Sequence, residues 1–178
     1  MCGLPFAGKS VLAGALSREL RIRLFSYDFD IYPVYSRLAP AGSSVAAEYD
    51  FLQDIARREI GAILASGESL IYDDLLLERE DRRKLAAVAE AHWADLVLVY
   101  LDTPLSVIDE RREANSRARA RARASIPEAK MRLDFSLLQP PEDAERAVYV
   151  SPDYVLPEVL ARVSARLKQP LPGDLDAL

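Results

Sequence analysis

The sequence is poor in the side chains that form disulfides and most structural metal sites. Its 178 residues include one cysteine, Cys2, and one histidine, His92. A single thiol allows no disulfide within the chain and makes a cysteine-based metal site implausible. No apolar run approaches the ~20 residues that a membrane-spanning helix needs, although half of the residues are hydrophobic. These features predict one domain with a reduced interior and no membrane partner.

The charge balance also limits the possible partners. The net charge is −5, which disfavours a protein that binds polyanions without specificity. The N-terminus shows no basic segment followed by an apolar core, the pattern of a secretion signal. We therefore expect a soluble, cytoplasmic protein.

Helix-like and strand-like patterns alternate along the chain. Apolar spacing and capping residues predict helices over Lys9–Leu20, from the cap Ser44 through about Ala65, over Arg79–Ala91, after Pro104, from Ser125, and over Leu156–Leu167. Strand-like runs cover residues 22–27, 69–72, 95–102 and 147–150. This alternation predicts an α/β fold with a parallel sheet, whose ligand site lies at the carboxyl ends of the strands.

A phosphate-binding loop is the clearest motif. Residues 3–10 read GLPFAGKS, which fits G-x-x-x-x-G-K-[ST] at every fixed position. Backbone N–H groups of such a loop wrap a phosphate, its lysine reaches the β- and γ-phosphates, and its hydroxyl binds Mg²⁺. We expect ATP and Mg²⁺ as cofactors and an exposed Lys9. The expected nucleotide-binding residues are Gly3, Leu4, Pro5, Phe6, Ala7, Gly8, Lys9, Ser10 and Val11. The alternative is an ordinary glycine-containing turn before a helix.

Very little chain precedes this loop. Only Met1 and Cys2 come before Gly3, and two residues span at most ~7 Å. A usual strand has about five or six residues. We therefore expect a truncated first strand and a natural start about five to ten residues upstream.

Acidic residues follow two of the predicted strands. Asp28 follows the second strand, where a carboxylate could take the proton of an acceptor hydroxyl. Asp30 is a weaker candidate, and capping of the next helix is the alternative for both. Asp73 and Asp74 end the third strand, and adjacent strand side chains point to opposite faces. One of them is expected beside the metal with Ser10; Asp74 is favoured, and a turn or cap is the alternative.

An arginine-rich run lies in the last third of the chain. Residues 117–123 alternate arginine and alanine, both strong helix formers. On a helix Arg117 and Arg121 share one stripe, and Arg119 and Arg123 share another roughly opposite. The run predicts a basic helical lid over about residues 111–139 that stabilises phosphate charge. A solvated helix face or a patch for an acidic partner is the alternative.

Together these segments resemble the small P-loop kinases of the AAA_33 group, which includes the 5′-polynucleotide kinase domain, zeta toxins and chloramphenicol phosphotransferase. The similarity rests on GLPFAGKS, SYD, IYDDLLLEREDRRKL, LVLVYLDTPLSVIDERR, NSRARARARASIPEAKMR and QPPED, in that order. It implies a three-layer P-loop domain over residues 1–168, strand order 2-3-1-4-5 and a tail at 169–178. It also implies that Asp28 is the base and that Arg117 and Arg121 contact phosphates. Lys9 of the phosphate loop completes the expected set of catalytic residues.

The resemblance implies transfer of the γ-phosphate of ATP to a hydroxyl group of a small molecule. Two departures bear on the acceptor. The basic residue that polynucleotide kinases carry soon after the catalytic aspartate is missing until Arg37, and Leu75 and Leu76 stand where polar residues are commoner. A nucleic acid 5′ end is therefore the less favoured acceptor. A polynucleotide or nucleotide kinase and a regulatory ATPase without an acceptor stay open, as does the oligomeric state.

Overall fold

The computed structural model describes residues 1–117 and 126–167. They form two compact units, each with one parallel pair of strands, as expected for an α/β protein. The first unit comprises Met1–Lys9, Leu75–Asp81 and the described part of Val97–Leu178. The second comprises Ser10–Asp74 and Arg82–Leu96.

The described helices are α1 Lys9–Leu20, α2 Tyr32–Tyr35, α3 Val45–Ala65, α4 Arg79–Ala91, α5 Leu105–Arg117, α6 Glu128–Leu137 and α7 Leu156–Leu167. A π-helical turn covers Tyr27–Ile31, and 3₁₀ turns cover Ser36–Leu38 and Asp143–Glu145. The predicted bounds of α1, α3, α4 and α7 are confirmed. Within residues 1–117 and 126–167, no helix has both the length and the apolar character to cross a membrane.

Local signals account for the start and end of α3. The Oγ of Ser44 accepts a hydrogen bond from the N–H of Ala47 at 3.2 Å, which satisfies one of the helix's free donors. Beyond Ala65, Gly67 adopts a φ of +82°, a conformation that glycine takes with little strain. The helix buries Leu52, Ala56 and Ile60 in the second unit.

Two parallel strands bring polar residues side by side in the second unit. Strand β1, Arg23–Ser26, pairs with β2, Leu70–Asp73, in a register that matches Ser26 with Asp73. Earlier along the same pair, the rings of Phe25 and Tyr72 lie 5.8 Å apart. The carboxyl ends of the strands therefore present Ser26 and Asp73 together, while Phe25 and Tyr72 pack as a pair.

The first unit contains the strand position that precedes the phosphate loop. Strand β3, Val99–Leu101, pairs in parallel with β4, Val148–Val150. Cys2 forms a parallel bridge to Tyr100: its N–H donates to Val99 O at 2.8 Å, and its carbonyl accepts from Leu101 N at 3.0 Å. Cys2 is fully buried, and its thiol donates to the carbonyl of Leu76 with an Sγ to O distance of 3.1 Å.

The observed pairings agree with part of the predicted strand order. If the position of Cys2 is counted as the first strand, β1 to β4 become the second to fifth strands. The second strand then pairs with the third, the fourth pairs with the fifth, and Cys2 forms a bridge to the fourth. Each pair belongs to a separate sheet, so the complete order 2-3-1-4-5 stays a prediction. Residues 118–125 of the predicted lid and the predicted tail at 169–178 lie outside the described residues.

An apolar cluster in the first unit surrounds the start of the phosphate loop. Leu4, Leu77, Ile108 and Met131 are each at most 5% exposed and pack together. Leu75 lies against this cluster, and Leu76 is also buried. Of the two leucines that depart from the commoner polar pattern after β2, Leu76 is therefore a core residue and Leu75 packs against the core.

Replacing Ile108 with alanine should destabilise the protein strongly. Ile108 is fully buried in this cluster, and truncation of such a side chain costs about 2–5 kcal/mol. Leu105, also on α5, is 56% exposed, so Leu105→Ala should change the free energy of unfolding by only about 0.5 kcal/mol. Urea denaturation of both variants measures this difference, and equal losses would contradict the assignment of Ile108 to the core.

Candidate active site

The phosphate loop has a backbone shape that favours glycine at two positions. Gly3 and Gly8 have φ values of +138° and +106°. A Cβ atom on Gly3 would lie 3.0 Å from the carbonyl oxygen of Leu101, and one on Gly8 would lie 3.3 Å from a guanidinium nitrogen of Arg111. Both φ values therefore favour glycine, and at Gly3 the nearby backbone carbonyl also limits the space for a side chain.

Side chains of the first unit hold the carbonyl groups of the loop. The Nη1 of Arg111 donates to Phe6 O at 3.1 Å and to Ala7 O at 2.8 Å. The hydroxyl of Thr103, which is buried, donates to Ala7 O at 3.0 Å. With these carbonyls bound to protein donors, the N–H groups of the loop are the groups suited to a phosphate. Sequence analysis identified neither Arg111 nor Thr103 as a loop contact.

Lys9 is buried, which contradicts the expectation that it would be exposed. Its side chain is 8% exposed, and its Nζ donates to the carbonyl of Leu4 at 2.8 Å. The loop folds around the lysine, so the ammonium group donates a hydrogen bond to one of the loop's own carbonyls. The amine still lies within the turn that the motif assigns to phosphate.

The other predicted loop residues differ in exposure. Leu4, Pro5 and Ala7 are buried, and Phe6 is half-buried. Ser10 and Val11 follow on α1, where Ser10 is half-buried and Val11 is 72% exposed. The side chains at positions 4, 5 and 7 therefore point into the protein interior and not toward solvent.

Two buried polar atoms without partners lie at the carboxyl ends of β1 and β2. Ser26 and Asp73 are 3% and 5% exposed. Among the described residues, the Ser26 Oγ and the Asp73 Oδ1 have no hydrogen-bond partner. Such atoms are rare in folded proteins and call for an explanation such as water or an ion. Sequence analysis did not single out Ser26, because a serine at the end of a strand carries no distinctive signal.

The neighbouring Asp74 is bound by donors of the second unit. Its Oδ2 accepts from the Gln53 Nε2 at 2.6 Å and from the hydroxyls of Tyr49 and Tyr72 at 3.3 Å each. Burial and the charge of Asp74 raise the pKa of Tyr72, so its hydroxyl remains a donor. Asp73 and Asp74 thus differ in environment, and the assignment of Asp74 to the metal stays a prediction.

The two acids after β1 also differ. Asp28 is exposed within the π-helical turn. Asp30 is half-buried, and its Oδ2 accepts from the N–H of Ser26 at 2.7 Å. Asp30 therefore binds the backbone at the end of β1 and does not cap the following helix, while the carboxylate of Asp28 is accessible to solvent.

Tyr27 directly precedes Asp28, and its ring lies near two other tyrosine rings of the second unit. The ring of Tyr27 lies 5.5 Å from that of Tyr49 and 6.4 Å from that of Tyr32, measured between centroids. Burial raises the pKa of Tyr27, and the negative charges of Asp74, Glu48 and Asp28 raise it further. The hydroxyl of Tyr27 is therefore protonated at neutral pH and lies in a negative potential.

Only one of the two lid arginines is described. Arg117 ends α5 with a side chain that is 77% exposed, and its guanidinium pairs with Glu113 Oε2 at 2.6 Å. Arg121, Arg119 and Arg123 lie outside the described residues. The contrast between the two arginine stripes therefore stays a prediction.

Solved structures share this fold at low sequence identity. Kti12 of Chaetomium thermophilum, in complex with ADP-AlF3, aligns with a TM-score of 0.75 and 15% identity over 94% of this chain and 97% of that one. The APS kinase CysC of Mycobacterium tuberculosis, in complex with AMPPNP and APS, gives 0.64 and 20% over 94% and 95%. A sugar kinase from Janibacter sp. HTCC2649 gives 0.66 and 18% over 93% and 91%. The chain therefore has the α/β fold of P-loop kinases.

Sequence comparison assigns the family. No curated protein sequence matches the chain significantly. The profile of the AAA_33 family, described as an AAA domain, matches residues 1–141 and so includes the phosphate loop, Asp28, Asp73 and Asp74. With most of its length in that match, the chain belongs to the AAA_33 family, a group of small P-loop proteins with a kinase-like fold.

Proposed function

We propose that this protein is an ATP- and Mg²⁺-dependent kinase that transfers the γ-phosphate to a hydroxyl group of a small molecule. The phosphate loop carries this proposal, since its two glycines have positive φ values and the carbonyls of Phe6 and Ala7 are held by Arg111 and Thr103. The sugar kinase and APS kinase among the similar structures support phosphotransfer. AMPPNP and ADP-AlF3 in two of those structures support ATP as the donor.

Each predicted residue has a defined task in this reaction. The loop N–H groups and Lys9 would bind the β- and γ-phosphates. Asp28 would accept the proton of the acceptor hydroxyl as the new oxygen–phosphorus bond forms and the bond from the γ-phosphorus to the β-phosphate oxygen breaks. ADP leaves with that electron pair. Arg117 and Arg121 would stabilise the charge on the phosphoryl group in transfer.

Oxygen atoms suited to Mg²⁺ are present in the second unit. In the described residues, no set of three or more His, Cys, Asp or Glu side chains could hold a metal by itself. Mg²⁺ in kinases is commonly held by one or two carboxylates together with phosphates and water. The Asp73 Oδ1, which has no partner among the described residues, fits that requirement, and Ser10 carries the hydroxyl that the loop motif assigns to the metal. Bound there, Mg²⁺ would neutralise charge on the transferred phosphate.

The structure favours Asp73 over Asp74 for this task. The Asp74 Oδ2 accepts three hydrogen bonds from protein donors, so ligation of a metal by that atom would compete with them. The Asp73 Oδ1 would gain a partner by binding the ion. We therefore assign the metal-side carboxylate to Asp73, a change from the sequence-based preference.

A nucleotide-binding ATPase without an acceptor is the second candidate. The Kti12 structure was solved with ADP-AlF3, whereas the APS kinase structure was solved with both AMPPNP and APS. The TM-score is 0.75 to Kti12 and 0.64 to the APS kinase. A polynucleotide acceptor fits less well, because residues 26–56 contain five acidic residues and one basic residue. Such a surface would repel the phosphates of a nucleic acid. Stimulation of ADP release by hydroxyl compounds separates the kinase from the ATPase.

Replacing Lys9 should remove most ATP affinity while the protein stays folded. Lys9→Met keeps the buried stem of the side chain and removes the charge that the phosphates require. Lys84→Met is the matched control, because Lys84 is an exposed lysine on α4. Calorimetric titration with Mg·ATP should show loss of binding in the first variant and no change in the second. Unchanged binding by Lys9→Met would refute the assigned nucleotide site.

Replacing Asp28 should impair turnover and spare nucleotide binding. Asp28→Asn removes the proton acceptor, which contributes roughly 10²–10⁴-fold in rate. Asp30→Asn keeps an oxygen that can accept from Ser26 N, so it should cost much less. Steady-state kinetics with calorimetry on both variants test the assignment, and a larger loss in Asp30→Asn would contradict it.

The two adjacent acids should differ in their effect on Mg²⁺ dependence. Asp73→Asn should raise the Mg²⁺ concentration for half-maximal ADP release by roughly 10- to 100-fold. Asp74→Asn keeps an acceptor for Gln53 and should shift that concentration less. A Mg²⁺ titration at fixed ATP compares them directly. The opposite order would return the metal to Asp74.

A further inference from the structure

The surroundings of Asp28 decide which acceptors the proposed base could serve. In the turn that contains Asp28, the side chain of Phe29 is 71% exposed to solvent. Tyr32 follows this turn and is 50% exposed. Tyr27 is half-buried beside them. Accessible aromatic side chains in the same stretch of chain as a candidate catalytic acid are suited to contact with a ligand.

Tyr27 and Tyr32, together with Tyr49 of α3, form a group that we call the tyrosine cluster. Tyr27 contacts both of the others, with interplanar angles of 38° to Tyr32 and 52° to Tyr49. The hydroxyl of Tyr49 donates to Asp74 Oδ2 at 3.3 Å, so this ring is held from its polar end. The face of an aromatic ring attracts cations, most strongly where water is partly excluded.

The charge around the tyrosine cluster is negative. Glu48 lies half-buried in the first turn of α3, next to Tyr49. The carboxylates of Glu48, Asp28 and Asp74 all raise the pKa of Tyr27, and burial raises it most. Residues 26–56 contain one basic residue, Arg37. A negative surface of this kind repels an anionic acceptor and concentrates a cationic one.

We propose that the acceptor is a small amino alcohol whose hydroxyl reaches Asp28 and whose ammonium group binds the tyrosine cluster and Glu48. This inference rests on the proposed kinase activity, and it defines the acceptor of the same site. The hydroxyl oxygen attacks the γ-phosphorus, its proton passes to Asp28, and ADP leaves. The amine keeps its positive charge throughout and serves only in binding.

The test compares acceptors that differ in charge and little else. Choline is paired with 3,3-dimethylbutan-1-ol, its uncharged isostere, and ethanolamine is paired with ethylene glycol. Glycolate serves as the anionic partner. Release of ADP from Mg·ATP gives kcat/KM for each compound with the full chain, and the rate without acceptor is subtracted. We expect each amino alcohol to exceed its uncharged partner by roughly 3- to 30-fold, the range of a partly desolvated cation–π contact.

Variants near the tyrosine cluster then locate the effect. Tyr49→Leu and Glu48→Gln should reduce the preference for choline over its isostere through a higher KM for choline, with little change in the KM for ATP. Tyr49→Phe keeps the ring and should retain most of the preference. Asp50→Asn is the matched control for Glu48→Gln, because Asp50 is an exposed acid two residues after Glu48 on α3. Thermal melts of each variant show whether the fold is kept.

Three results would be decisive. Preference for choline and ethanolamine that falls in Tyr49→Leu and survives in Asp50→Asn supports the proposal. Equal or better use of the uncharged or anionic partners overturns it and leaves the kinase activity in place. If no hydroxyl compound raises ADP release above the rate without acceptor, the proposed kinase activity itself fails, and the inference fails with it.

Discussion

Hydrogen bonds to main-chain carbonyls set the shape of the phosphate loop. Arg111 donates hydrogen bonds to the carbonyls of Phe6 and Ala7, and Thr103 donates to that of Ala7. Arg111 lies three residues after Ile108 on α5, so both side chains share one face of that helix. Ile108 packs against Leu4 in the core while Arg111 holds the loop. The shape of the loop thus depends on an apolar contact and a cationic contact made by one helix.

Strand geometry gives two adjacent carboxylates different environments. Asp73 pairs in register with Ser26 and has a buried oxygen without a partner among the described residues, whereas Asp74 is bound by Gln53 and two tyrosines. Asp73 ends β2 and Asp74 follows the strand, so the two acids differ in environment although they are adjacent. Asp73 keeps an oxygen that a ligand could bind, and Asp74 holds the hydroxyls of Tyr49 and Tyr72.

Elements with strong local signals could be predicted from the sequence. Ser44 and the apolar spacing after it give α3 its correct bounds, and the glycine pattern gives the phosphate loop. Strand β3 is shorter than its apolar run, because hydrogen-bond pairing with Val148–Val150 and Cys2 defines its length. The burial of Lys9 and the loop contact of Arg111 were not predicted. Both depend on groups brought together by tertiary folding, which sequence spacing does not encode.

The single cysteine gives the molecule a built-in chemical reporter. Cys2 is fully buried, its thiol donates to Leu76, and its backbone bridges β3 directly ahead of the phosphate loop. A thiol reagent can reach it only when this part of the first unit opens, and no other thiol competes for the reagent. The rate of alkylation therefore measures local opening beneath the loop without any engineered label. A ligand that binds the loop and steadies its base would slow that reaction, which makes nucleotide occupancy visible as protection of one sulfur atom.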